Sequence, residues 1–209
     1  MEPSGGATSL GDGHSIVLAS GSPRRRRLLE LLGLAFQIDP ADVEEVPEPD
    51  EAPEVFCERA ARDKAAAVAA RHPDRHILAA DTVVALEGDI LGKPESPGHA
   101  RAMLRRLSGR THRVHTAMAL ARDGELVSLV DTAQVEILPL DDALISWYVA
   151  TGEPLDKAGA YAVQGRGGLL VSAVHGHPHT VVGLPIHRLP ELFAALGFDV
   201  LSRLGSPTP

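Results

Sequence analysis

Aromatic side chains are scarce in this chain, at 3% of 209 residues. A core must therefore be filled by Leu, Val, Ala and Ile, and a hydrophobic content of 44% is enough for a sizeable one. Cysteine occurs once, at Cys57. That excludes an intrachain disulfide and fits a reducing compartment. Cys57 lies in an Ala-rich helical stretch and reads as a small core residue rather than a nucleophile. Long apolar runs are missing too, since none reaches the roughly 18 residues of a membrane span. The first six residues have neither the basic nor the apolar region of a signal peptide. A soluble, cytoplasmic protein is expected. An excess of positive charge is also absent. The net charge of −8 argues against a general nucleic-acid binder, though not against a local basic pocket for a small anion. There is no internal repeat. The length suits a single two-lobed domain over residues 14–203, with loose tails at 1–13 and 204–209 rich in Gly, Ser, Pro and Thr.

The most informative stretch is 15–32. Ile16 to Ala19 reads as a buried strand, which Ser20-Gly21-Ser22 breaks. Ser22 occupies an N-cap position and Pro23 the first helical one. Leu28, Leu29, Leu31 and Leu32 follow at helical spacing, and Gly33 ends the helix. Arg24 to Arg27 crowd the helix start, where cations are unfavourable by about 0.3–1 kcal/mol each. An anion would reverse that sign, because free N–H groups, the helix dipole and guanidinium forks would all meet it. Arg24 and Arg25 are therefore read as a phosphate cradle, and Arg26 and Arg27 as solvated.

Further on, Ala35 to Ile38 alternates like a strand and leads into an acidic, Pro-rich connection at 39–51. Glu44 and Glu45 follow the strand most closely and are best placed to reach a cleft. Residues 53–71 form a helix with a smooth Ala-rich surface. Lys64 within it is by default a solvated, snorkelling side chain. Ile77 to Leu86 is a continuous apolar strand interrupted by Asp81, a residue expensive to bury unpaired and therefore a candidate for chemistry. Glu87-Gly88-Asp89 reads as a hairpin turn. Gly92-Lys93-Pro94 is not a P-loop, because the spacing is short and Pro94 stands where Ser or Thr would hold magnesium. Lys93 can still point at phosphate.

A helix follows Ser96-Pro97 and ends at Gly109. Residues 114–120 and 126–138 form an antiparallel pair, which makes the sheet mixed. His112 and His115 read as surface or hydrogen-bonding groups. Residues 140–151 are helical, with Leu144, Ile145, Trp147 and Tyr148 as core candidates. The Gly-rich stretch 153–168 allows close approach to a ligand, and Gln164 in it has both a donor and an acceptor for a base edge. Leu169 to Val174 reads as a strand and His187 to Leu196 as a last helix. His175, His177 and His179 alternate, but Gly176 and Pro178 spoil strand geometry. Exposed loop histidines are favoured there over a metal site. A basic cradle, a carboxylate inside a sheet, nearby acids and placed lysines together suit a nucleotide or phosphate-ester hydrolase using a divalent cation.

Six stretches in order carry a resemblance. They are Leu-Ala-Ser-Gly-Ser-Pro-Arg-Arg (18–25), Ala-Asp-Thr-Val-Val (80–84), Leu-Gly-Lys-Pro (91–94), Met-Leu-Arg-Arg-Leu-Ser-Gly-Arg-Thr-His (103–112), Asp-Lys-Ala-Gly-Ala-Tyr (156–161) and Val-Val-Gly-Leu-Pro (181–185). From Ile16 to Leu196 the chain resembles the Maf family of nucleoside triphosphate pyrophosphatases. The resemblance implies an α/β fold, a long mixed β-sheet flanked by helices, with a central cleft between two lobes. It implies cleavage of a nucleoside triphosphate to the monophosphate and pyrophosphate, helped by a divalent cation, Mg²⁺ or Mn²⁺. Asp81 matches the family's proton acceptor. Ser22, Arg25, Glu45, Lys64 and Lys93 match positions lining the phosphate and metal cleft, with Glu45 and Asp81 as the metal candidates. Arg24, Thr82 and Gln164 match positions linked to base choice in the branch acting on dTTP and UTP. The chain departs from the family at Ala162, where Gly is common, and at His177-Pro178-His179, in place of a Gly-Ser-Tyr-like turn. The expected partner is a small-molecule nucleotide, without nucleic acid or membrane, and a homodimer is allowed. The rival readings are a nucleotide-responsive regulator of cell division that binds without turnover, and DNA binding through the Arg cluster, which the acidic net charge disfavours.

Overall fold

Strand β3 (His76–Leu86) is buried along its length except at Thr82, as a strand covered on both faces should be. The structure, a computed structural model, describes residues 16–204. The expected tail at 1–13 lies outside the described residues. So does the expected C-terminal tail apart from Leu204, which packs against the core. On one edge β3 pairs in parallel with β1 (Ile16–Leu18), which pairs in parallel with β2 (Phe36–Ile38). On the other edge it pairs antiparallel with β5 (Thr111–Arg122), and then come β6 (Glu125–Ile137) and β7 (Val171–His175), also antiparallel. The short β4 (Asp89–Leu91) pairs with the far end of β3. The seven-stranded sheet is thus mixed and α/β in class. Both expected hairpins close with two successive left-handed residues, Glu87-Gly88 and Asp123-Gly124, whose twist matches that of the flanking strands.

The period of two splits the strands between two faces. Val17, Ile77, Ala79, Val83, Ala117 and Ala119 face helix α2 (Pro53–Ala69), whose Ala60, Ala61, Ala65 and Val68 let it lie close. The opposite face holds two separate apolar cores. One joins Leu18, Leu78, Met118 and Leu120 to α1 (Pro23–Leu31) and α6 (Leu189–Ala194). The other joins Val84, Leu86, Val114 and Val135 to α3 (Pro97–Leu107) and α4 (Asp142–Ala150). Between them runs a polar row at one register, Thr82, Thr116 and Asp131.

The pairing of β3 also explains where a cleft opens. β1 covers its edge only as far as Leu78, and β4 only from Val84. Among the described residues, 79–83 have no strand on that side. β1 runs parallel to β3 and β4 antiparallel, so the C-terminal ends of both point into the gap. Asp81 sits at its middle.

Several expectations are corrected. Trp147 is 45% exposed, because α4 buries Ile145, Tyr148 and Val149 and the helical period turns Trp147 off that stripe. Leu169 is exposed in a 3₁₀ turn, and β7 begins only at Val171. The last helix is a 3₁₀ turn at 186–188 followed by α6. Of the two readings given for His112 and His115, surface or hydrogen-bonding, the second holds, for both are buried. Their hydrogen bonds go to the Tyr161 hydroxyl at 2.8 Å and Thr132 Oγ1 at 2.9 Å.

Candidate active site

A cleft of about 670 Å³ opens at the gap beside β3. Ser22, Arg24, Arg25, Glu45, Lys64, Asp81, Thr82, Lys93 and Gln164 all line it. The loop after β1 brings Ser22, the first turn of α1 brings Arg24 and Arg25, the segment after β2 brings Glu45, α2 brings Lys64, the loop after β4 brings Lys93, and the Gly-rich stretch brings Gln164. Glu44 is exposed and does not reach the cleft.

Asp81 is almost fully buried on the α2 face. Its Oδ1 accepts a hydrogen bond from Lys64 Nζ at 2.7 Å, and the same Nζ lies 2.9 Å from Glu45 Oε1. Lys64 is therefore no snorkelling surface lysine, since its ammonium joins two carboxylates and is itself nearly buried. The sequence carries the signal for this. Lys64 stands in the stripe of Ala60, Ala61 and Val68, at helical spacings of four, three and four residues. Cys57 packs behind Asp81, with its thiol donating toward the Asp81 and His115 carbonyls at 3.4 and 3.3 Å. Burial, and then the charge of Asp81, push the thiol up to about 12. It is inert as a nucleophile at neutral pH.

Arg25 lies on the other face of β3. Nε donates to the Gly183 carbonyl at 2.8 Å, Nη1 to Ser20 Oγ at 3.0 Å and Nη2 to Thr82 Oγ1 at 3.2 Å. Burial lowers its pKa from the usual guanidinium value, and the Asp81 charge opposes that shift. The remaining N–H donors of a fixed planar fork are left for an anion. Thr82 in turn meets Thr116 Oγ1 at 3.0 Å, and Thr116 donates to the Thr180 carbonyl at 2.7 Å. Sequence reasoning missed Ser20, Thr116 and Gly183.

Ser22 takes the N-cap position of α1, but its side chain makes no capping bond. The N–H groups at this helix start therefore remain available to a ligand. Arg24 reaches across the cleft to Asp156 at 3.8 Å, and Lys157 Nζ donates to Asp156 at 2.6 Å. Arg26 and Arg27 are exposed and pair with Glu30. Lys93 and Gln164 are exposed and line the cleft.

Two carboxylates facing one ammonium give an all-oxygen donor pair beside an anion cradle. That chemistry fits a hard divalent cation completed by phosphate oxygens. The histidines are arranged differently. His177 accepts the His179 N–H at the start of α5 (Pro178–Val182) and stacks on His187 with ring centroids 3.9 Å apart. His177 and His179 are partly buried rather than exposed. Burial, and then His177, lower the pKa values of His179 and His187. None of these rings lines the cleft. His175 is exposed and meets Glu136.

An α/β sheet with a carboxylate–lysine–carboxylate cluster and a fixed arginine fork at a helix start defines an anion-receiving, phosphate-handling cleft. The chain belongs to the Maf family, whose model, described as Maf-like protein, matches residues 15–196. A protein of Myxococcus xanthus named dTTP/UTP pyrophosphatase is 50% identical over 194 residues, covering 93% of this chain and 94% of that one. One of Symbiobacterium thermophilum with the same name is 44% identical over 188 residues, covering 90% and 96%. Among solved structures, a nucleoside-triphosphatase / dITP/XTP pyrophosphatase from Mycobacterium abscessus overlays 88% of this chain and all of its own, at 17% identity and a TM-score of 0.46. That overlay is too loose to bear on chemistry. No described helix is long and apolar enough to cross a membrane.

Proposed function

We propose that this protein hydrolyses dTTP and UTP to the nucleoside monophosphate and pyrophosphate. The observation that carries the reading is Asp81, held buried by Lys64 at the middle of a cleft whose other face presents Arg25. The names of relatives at 44–50% identity support both the reaction and the bases. A protein that only bound nucleotides would gain nothing from a carboxylate buried beside the phosphate cradle, so turnover is favoured over binding alone.

Arg25, Arg24 and the free N–H groups of α1 would hold the triphosphate. Asp81 would accept a proton from a water whose oxygen forms the new bond to the α-phosphorus. The bond from that phosphorus to the bridging oxygen breaks, and Lys93 offsets the charge on the departing pyrophosphate. Lys64 balances and orients the two carboxylates. Glu45 and Asp81 would hold a divalent cation, Mg²⁺ or Mn²⁺, which supplies charge neutralisation on the phosphates. Arg24 and Thr82 line the same walls and, with Gln164, would set base choice. The two cores on one sheet face support a two-lobed domain over residues 14–203. The lone thiol and the nucleotide substrate fit the cytoplasm.

The test is product identity. With UTP and Mg²⁺, one monophosphate and one pyrophosphate per turnover are expected. Release of the nucleoside diphosphate and inorganic phosphate would contradict the proposal.

A further inference from the structure

The loop that carries Gln164 is gripped by two side chains outside the cleft. Glu153 lies in the 3₁₀ turn Glu153–Asp156 that follows α4. Its Oε1 accepts the Gly167 N–H at 2.9 Å and the Tyr148 hydroxyl at 3.0 Å, and its Oε2 accepts the Arg166 N–H at 3.1 Å. The Tyr148 oxygen also accepts the Ala162 N–H at 3.2 Å. One carboxylate and one phenol thus hold main-chain donors on both sides of Gln164. Tyr148 is fully buried in α4, so the grip is anchored in a packed core. Burial works against the Glu153 charge, yet the Gly167 and Arg166 N–H groups and the Tyr148 hydroxyl hold its pKa below the ordinary carboxylate value.

The glycines report how close the grip is. A Cβ on Gly167 would stand 2.3 Å from the Ala162 carbonyl and 2.6 Å from the Tyr148 oxygen. A Cβ on Gly165, at φ +72°, would stand 3.0 Å from Glu153 Oε2. The family departure at Ala162 leaves this contact intact, since it runs through the backbone N–H. A Gly-rich segment left to itself samples many conformations. Fixing it before substrate arrives removes an ordering cost from recognition.

We propose that Glu153 and Tyr148 are positioning residues that hold Gln164 toward the base of the bound nucleotide. Base choice then depends on a clamp outside the cleft. This inference rests on the reading of Gln164 as a base-contacting residue. Glu153→Gln replaces one acceptor oxygen with a donor that faces N–H groups, and Tyr148→Phe removes the hydroxyl.

The experiment measures pyrophosphate release from UTP and CTP, which differ only on the base edge. It uses the full chain carrying Glu153→Gln, Tyr148→Phe, Gln164→Ala, or Glu153→Gln with Gln164→Ala. Each single variant is expected to lose about tenfold or more of the UTP-over-CTP ratio of kcat/KM. In the two clamp variants the loss comes chiefly through KM for UTP, with kcat falling much less. The double variant is expected to be no less selective than Gln164→Ala alone, because the clamp acts through that residue. A wild-type ratio in the clamp variants, beside a reduced one in Gln164→Ala, overturns the clamp. So does an equal fall of kcat on both nucleotides with the ratio kept. An unchanged ratio in Gln164→Ala overturns the base-reading role itself, and the inference with it. Should Glu153→Gln fail to fold, the same outcomes for Tyr148→Phe decide.

Discussion

Lys64 and Asp81 form the most deeply buried charged pair of the site, at 2.7 Å. Removing one partner of such a pair leaves a buried charge alone, which costs about 3–5 kcal/mol. Lys64→Met is therefore expected to lower stability in urea denaturation, and Asp81→Asn added to it to recover part of the loss. A second prediction concerns His112. Burial holds its pKa near 4, below the ordinary value of 6.5. The unfolded chain then binds the proton more readily than the folded one between these values, so His112 erodes stability as pH falls from about 6.5 toward 4. Thermal melts across that range should show the slope, and His112→Asn should flatten it. At this scale Asp81 was legible because a carboxylate amid apolar strand residues has no structural excuse. For Lys64, composition alone points to solvent, because a helical lysine usually reaches it; the resemblance places it in the cleft, where the structure puts it, and its position in the Ala stripe marks it as inward. Glu153 is not legible because two of its three partners are main-chain N–H groups, which sequence does not display.

Among the elements, the stretch from β1 through Ser22 and Pro23 into α1 folds as its residues dictate, and so do the two left-handed hairpin turns. The shorter pieces were less legible. Between 153 and 170 the chain makes successive 3₁₀ turns that follow no hydrophobic period. They are stabilised instead by docking. Gly159, at φ +69°, donates to the Gly92 carbonyl at 3.1 Å, and a Cβ there would meet Val84 Cγ1 at 2.9 Å. Gly159→Ala is expected to cost about 1–3 kcal/mol from backbone strain and crowding. Adding Val84→Ala should relieve the crowding but not the strain, as thermal denaturation of the single and double variants would show. Gly183, at φ +110°, ends α5 and supplies the carbonyl that holds Arg25. A Cβ there would stand 3.1 Å from Thr82 Oγ1 and 3.6 Å from Arg25 Nε. Gly183→Ala is expected to raise KM for UTP by about tenfold or more through loosening the arginine fork.

At the scale of the whole molecule, the cleft follows from strand lengths. β1 and β4 cover the two ends of one β3 edge, and the uncovered middle is where their loops, and the segment after β2, converge. The mixed sheet was legible from the antiparallel pair at 114–138, but the gap was not, because register between distant strands is not written in either strand alone. Two apolar cores on one face, parted by Thr82, Thr116 and Asp131, then give walls to the cleft. The reaction proposed for that cleft turns on a single carboxylate. The direct measurement is pyrophosphate release from UTP by Asp81→Asn, with UTP binding followed in parallel by calorimetry. Asp81→Asn keeps the shape and removes the charge, so UTP should still bind while turnover falls by about 10²–10⁴-fold. Turnover close to that of the unaltered protein would contradict the assignment of Asp81 as the group that accepts the proton of the attacking water.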